Sequence, residues 1–346
     1  MPDRKPGKTG RRDFLKRVGA GAVIGAAGTG LGPTAGAALA TSKAPSGKEN
    51  IEDRRLAETT SKEAPAMRIG VNLLLWSAAM GKESLGLIEK VARFGFDGVE
   101  IFIDEPANID RRAIKKVVDD NGLGITCCSI VGPDRHLISD DRKIRRNARD
   151  YLKAAVEISH DVGSSIFCGP LYAGVGVLVG RPRTEEEWSR AVEGLSEVAK
   201  DAEAAGVTLC LEPLNRFETY FVNIVEDAVK LAKDVDSPNV KVMGDTFHMN
   251  IEEKNLRQPL VAAGDLLHHM HCCGNDRGTP GAGHVDWDDV FAALRDVGYD
   301  GWLVIESFVL GNEAIAKAAA IWRDIAPSGD DLARDGLAFL RRMSAA

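Results

Sequence analysis

Four side chains able to do metal or acid-base chemistry, Glu212, Asp245, His271 and Glu306, stand 26 to 35 residues apart. Each closes a short apolar run: VTLCL before Glu212, VKVMG before Asp245, LHHM before His271 and WLVI before Glu306. Three carboxylates brought together repel one another strongly unless a cation neutralises them. With one imidazole added, they form an oxygen-rich donor set for one divalent ion. That set suits Mn²⁺, with Co²⁺, Mg²⁺ or Fe²⁺ as alternatives, and differs from a cysteine-rich structural zinc site. Taken singly, each residue would be ordinary: a loop glutamate, a capping aspartate, a core histidine. Their recurrence at one chain interval points to a shared site.

Three more polar residues follow the ligands at short offsets: Glu218, His248 and Arg277. In the loops beyond the strands they would either bind a polyhydroxylated substrate or pair with one another, Glu218 with Arg277 for instance. Side-chain alternation puts His269 and His271 on one face and His268 on the other. His269 is expected to support the ligands from one rung below, and Cys273, one rung above, is an alternative thiolate ligand. Arg216, Glu252 and Glu253 read as solvated or structural.

Residues at one height come together only if their strands are neighbours. From Met67 on, eight short β-rich runs alternate with helical patterns: Arg68–Leu74, Gly98–Ile103, Gly124–Ile130, Ser164–Cys168, Val207–Glu212, Val240–Asp245, Leu267–Cys272 and Trp302–Glu306. Helices predicted over Glu83–Phe94, Asp110–Asn121 and Thr184–Ala205 are each followed by a glycine suited to a left-handed C-cap, or have one within a residue of their end. Asp110, Thr184 and Asp286 are candidate N-caps. A final helical segment spans Glu313–Arg342, interrupted around Pro327. Mostly apolar strands alternating with helices mean a parallel sheet covered by helices, and eight units fit a closed (β/α)₈ TIM barrel of the α/β class. No G-x-G-x-x-G follows the first strand, which argues against a dinucleotide fold.

The N-terminus stands apart. Arg11-Arg12-Asp13-Phe14-Leu15-Lys16, a Gly/Ala-rich stretch and Ala38-Leu39-Ala40 read as a twin-arginine export signal over 1–40, which implies passage through the Tat translocase and a periplasmic location. Glycines and Pro33 break its apolar stretch, so no stable membrane insertion is expected. Residues 41–66 are too poor in large apolar side chains to order and read as a disordered linker, leaving 67–346 as the catalytic domain. Loss of seven basic and two acidic residues with the signal takes the net charge from −7 to about −12, a surface that repels nucleic acid. The six cysteines form no C-x-x-C pair and read as buried apolar residues.

LEPLNRFET, GDTFHMNIEE, HMHCCGNDRGTPGAGHVDW and LVIESF resemble the four signature regions of the ketose 3-epimerases of D-tagatose and D-psicose, in the xylose-isomerase-like TIM barrel superfamily. The resemblance implies that Glu212, Asp245, His271 and Glu306 hold one divalent ion, usually manganese. It also implies that Glu218, His248 and Arg277 bind a sugar around its C1–C2 end, and that the chain assembles as a homodimer or homotetramer. At the end of the first strand, Asn72 and Leu73 stand where family members commonly place an aromatic side chain. A free ketose polarised at C2 would lose its C3 proton to one glutamate and regain it from the other through a cis-enediolate, with Glu212 and Glu306 as the acid-base pair. An aldose-ketose isomerase or a keto-sugar or keto-glycoside lyase would use the same site. A nuclease is disfavoured by the acidic surface, and a non-catalytic sugar-binding protein by the presence of both glutamates.

Overall fold

The computed structural model describes residues 67–311 and 313–346. The export signal over 1–40 and the linker over 41–66 lie outside the described residues. Eight parallel strands close into a barrel in chain order: β1 Arg68–Asn72, β2 Gly98–Phe102, β3 Gly124–Cys128, β4 Ile166–Gly169, β5 Thr208–Leu211, β6 Val240–Asp245, β7 Leu267–His271 and β8 Trp302–Ile305, with β8 pairing back onto β1. The helices are α1 Lys82–Phe94, α2 Arg111–Asp120, α3 Arg142–Val162, α4 Glu185–Ala205, α5 Val225–Val235, α6 Thr246–Glu252, α7 Arg257–Ala263, α8 Trp287–Asp296, α9 Glu313–Ala318 and α10 Gly329–Ser344. The (β/α)₈ expectation therefore holds. None of these helices is long and apolar enough to cross a membrane.

The expected caps are present. Thr184 Oγ1 accepts from Glu187 N–H while Glu187 accepts from Thr184 N–H, a reciprocal pair that starts α4. Asp110 and Asp286 each accept from the amide three residues on. Gly95 and Gly206 close α1 and α4 in the left-handed region, at φ 84° and 66°. Two details differ from the sequence reading. β1 stops at Asn72, because its Oδ1 accepts from Leu74 N–H at 2.9 Å and turns the chain into a 3-10 turn over Leu73–Leu75. The β6–β7 connection holds two helices, α6 and α7. The last segment is interrupted ahead of Gly329, as expected, giving α9 and α10, and Ser328 caps the latter.

Alternation divides each strand cleanly. Ile69, Val71, Val99, Ile101, Leu209, Leu211, Met270 and Leu303 pack outward on the helices, while Cys168, Cys210, Met243, Trp302 and Val304 fill the barrel. All six cysteines are buried free thiols, as expected. The floor of the barrel is Trp302. Its indole lies so close to β2 and β3 that a Cβ on Gly98 or Gly124 would sit 2.4 or 2.5 Å from the ring, and the Arg68 guanidinium covers it at 4.3 Å. Trp302→Ala should lower the unfolding free energy by about 3–5 kcal/mol in chemical denaturation, because the strands cannot close over the void. A loss under about 1 kcal/mol would contradict this packing.

Candidate active site

The sheet register explains how the four proposed ligands meet. Asp245 and His271 are partners across β6 and β7, and Glu212 and Glu306 follow directly on the last residues of β5 and β8. One donor atom from each of Glu212, Asp245, His271 and Glu306 lies within 4.8 Å of every other. Glu212 is held by its backbone: its N–H donates to Gly169 O at 3.0 Å, and its carbonyl accepts from the Tyr172 hydroxyl. Asp245 serves two neighbours at once. Its Oδ1 caps α6 by accepting from Phe247 and His248 N–H, at 2.7 and 3.3 Å, which turns Oδ2 into the cluster.

His271 supplies the observation that tests the fit of a metal. Its Nδ1 is fully buried without a hydrogen-bond partner, and it faces Glu306, Asp245 and Glu212 oxygens at 3.3, 3.7 and 4.0 Å. A buried imidazole nitrogen facing three carboxylates, once it gives up its proton, is what a divalent cation requires of this donor set. Cys273 is not part of it. Its Sγ lies 3.6 Å from Asp245 Oδ1 and from Arg277 Nη1, and burial beside Asp245 raises its thiol well above the usual range.

Beneath the cluster is a residue that the sequence reading missed. Glu100, in the middle of β2, is fully buried. Its Oε1 accepts from His271 Nε2 at 2.8 Å and Asn72 Nδ2 at 2.9 Å, and its Oε2 from His269 Nε2 and Thr126 Oγ1, both at 2.9 Å. Asn72, Glu100 and Thr126 lie on one rung of β1, β2 and β3. His269 therefore supports His271 through Glu100 and by an edge-to-face ring contact at 5.3 Å. The available signal was a single charge inside an apolar strand, GVEIF, at an inward position.

The three proposed sugar-binding residues also converge. Arg277 Nη1 donates to Asp245 Oδ2 at 2.7 Å and to Glu306 Oε2 at 2.9 Å, and its Nη2 lies 2.9 Å from His248 Nε2. Its partners are thus Asp245 and Glu306, and the Glu218 carboxylate instead accepts from Asn215 Nδ2 at 2.8 Å. Arg277 sits at φ 64°, a left-handed conformation uncommon for a side-chain-bearing residue. Phe308 N–H fixes it by donating to Arg277 O at 3.0 Å. His248 Nδ1 accepts from Asn215 N–H at 3.1 Å, and its Nε2 lies 3.6 Å from Glu212 Oε1. Arg216 pairs with Glu252 at 2.8 Å and Glu253 accepts from Val225 N–H, so those residues are structural.

The charges are strongly coupled. Burial, with the Glu306 and Asp245 charges, pushes Glu212 well above the usual carboxylate range despite His271. Asp245 is held well below it, because Arg277 and the two histidines outweigh its burial. Burial opposes a charge on His271, yet Glu100 and Glu306 raise it well above 6.5.

A model of the xylose isomerase-like TIM barrel family matches residues 88–343. The chain belongs to that family. It is 35% identical over 269 residues to D-psicose 3-epimerase of Ruminiclostridium cellulolyticum, covering 77% of this chain and 92% of that protein. It is 33% identical to L-ribulose 3-epimerase of Mesorhizobium japonicum, covering 79% and 93%. The solved D-allulose 3-epimerase from Methylomonas sp. in complex with D-allulose superposes with a TM-score of 0.77 at 28% identity, over 81% of this chain and 98% of that one.

In a metal centre of this kind the ion competes with the proton on His271. Because that proton is held above the ordinary histidine value of 6.5, apparent Mn²⁺ affinity should still climb as pH rises past 6.5 and level off only above the raised value. Calorimetric titrations at a series of pH values check this, and an affinity already flat above pH 6.5 would contradict it.

Proposed function

We propose that this member of the xylose isomerase-like TIM barrel family is a metal-dependent ketose 3-epimerase acting on an unphosphorylated ketose. The observation that carries the reading is the unpartnered His271 Nδ1 facing Glu212, Asp245 and Glu306, with Glu218, His248 and Arg277 on the open side. The names of its relatives, which act on psicose, ribulose and allulose, support the reaction class.

Glu212, Asp245, His271 and Glu306 would hold one divalent ion, Mn²⁺ by the chemistry of three carboxylates and one imidazole. That ion would polarise the C2 carbonyl and so acidify the C3 proton. Glu212 and Glu306 follow strands on opposite sides of the arc, and we assign them to opposite faces of C3. One takes the proton, and the other returns one to the other face of the cis-enediolate; their roles exchange with direction. Arg277 places positive charge beside both Asp245 and Glu306 and faces the developing negative oxygen. In His248 both ring nitrogens meet N–H groups, those of Asn215 and Arg277, one more acceptor than a neutral imidazole has.

The pocket lining argues for a sugar without phosphate. Apolar side chains share the lining with the charged groups: Leu74, Phe102, Ile130, Phe247, Phe308 and Ile315, of which Phe247 and Phe308 lie against the Arg277 guanidinium. Arg277 is the one arginine or lysine among the described lining residues, and two carboxylates already engage it. A phosphate dianion would meet no further cation there.

Glu212→Gln and Glu306→Gln should each lower exchange of the ketose C3 proton with solvent deuterium by about 10²–10⁴-fold, followed by NMR over a panel of ketoses and ketose phosphates. An unchanged rate in either variant would overturn the acid-base assignment, and products of isomerisation or elimination would move the site to another reaction. The proposed location is periplasmic, through the Tat translocase. Replacing Arg11 and Arg12 by Lys should retain the protein in the cytoplasm in cell fractionation, and export at the wild-type level would contradict it.

A further inference from the structure

We propose that Glu100 is a positioning residue that sets which nitrogen of His271 faces the metal cluster. A carboxylate has about four lone-pair sites, and four donors at 2.8–2.9 Å fill those of Glu100: Asn72, His271, His269 and Thr126. Cys168 Sγ adds a fifth, longer contact at 3.4 Å. Nothing in this shell donates from Glu100 itself, because every neighbour is a donor. Glu100 thus acts as an anion, and the imidazole proton of His271 belongs on Nε2. The lone pair is left on Nδ1, which has no other partner.

The arrangement is built by three adjacent strands and one opposite. Asn72, Glu100 and Thr126 share a rung, so β1 and β3 clamp the carboxylate from both sides. His269 and His271 reach it from β7 across the barrel, their rings edge to face at 5.3 Å. A carboxylate accepting from the far nitrogen of a metal-bound histidine fixes ring orientation and raises ligand basicity. In Glu100→Gln, one oxygen becomes an N–H donor and must face one imidazole N–H. Either His271 moves its proton to Nδ1 and ceases to be a ligand, or His269 moves its own to an Nδ1 that is buried without a partner.

The inference rests on the metal reading of the four-residue cluster, and its tests separate the two. Mn²⁺ titrated calorimetrically into metal-free wild-type protein should bind one ion per chain, and no binding would overturn the metal reading itself. Glu100→Gln should keep the wild-type circular dichroism spectrum and bind Mn²⁺ about 10–100-fold more weakly. Equal affinity in the folded variant would overturn the role of Glu100 alone. A wild-type measurement needs no variant to fold. In ¹⁵N-histidine NMR of Zn²⁺-loaded protein, the His271 proton should reside on Nε2, and a proton on Nδ1 would overturn the proposal.

Discussion

Repulsion among carboxylates governs this structure. Glu212, Asp245 and Glu306 converge at the barrel mouth, with Glu100 one layer beneath, and all are at least largely shielded from water. Burial alone would keep such groups neutral. The protein holds them with positive charge and directed donors instead: Arg277 on Asp245 and Glu306, His271 between Glu100 and the upper three, and backbone amides on Asp245. With His271 neutral, as a metal ligand must be, Arg277 alone does not balance three mouth carboxylates, and a divalent ion at the His271 Nδ1 position would complete the balance.

The fold serves that arrangement layer by layer. Trp302 plugs the floor, where glycines on β2 and β3 make room for its ring. The middle layer is polar, and four donors fill the oxygen sites of Glu100. The top layer carries the chemistry, on residues fixed by strand ends and not by loop conformation. Hydrogen bonds from the loops then lock the outer residues, as Phe308 does for Arg277 and Asn215 for His248. A rigid support of this kind is what proton transfer on two faces of one carbon demands.

Much of this was legible in the sequence, because spacing and alternation are geometric. One βα unit between successive polar strand ends identified Glu212, Asp245, His271 and Glu306 as neighbours, and the period of two placed His268 apart from His269 and His271. Helix caps followed from local chemistry at Thr184 and Asp286. Glu100 was not legible by the same argument, since it lies in mid-strand, below the level where reactive groups are sought. Its donors come from β1, β3 and β7, so its role exists only after closure. The early end of β1 likewise depends on a side-chain bond, Asn72 to Leu74 N–H, that competes with the strand ladder.

The central claim is that one ion balances the charge at this mouth. Anomalous diffraction at the manganese edge, from crystals grown with Mn²⁺, tests it directly. The account predicts one strong peak per chain within bonding distance of Glu212, Asp245, Glu306 and His271 Nδ1, with His271 Nε2 still on Glu100. A peak elsewhere, or bonding through a rotated His271 ring with the Glu100 contact broken, would contradict it.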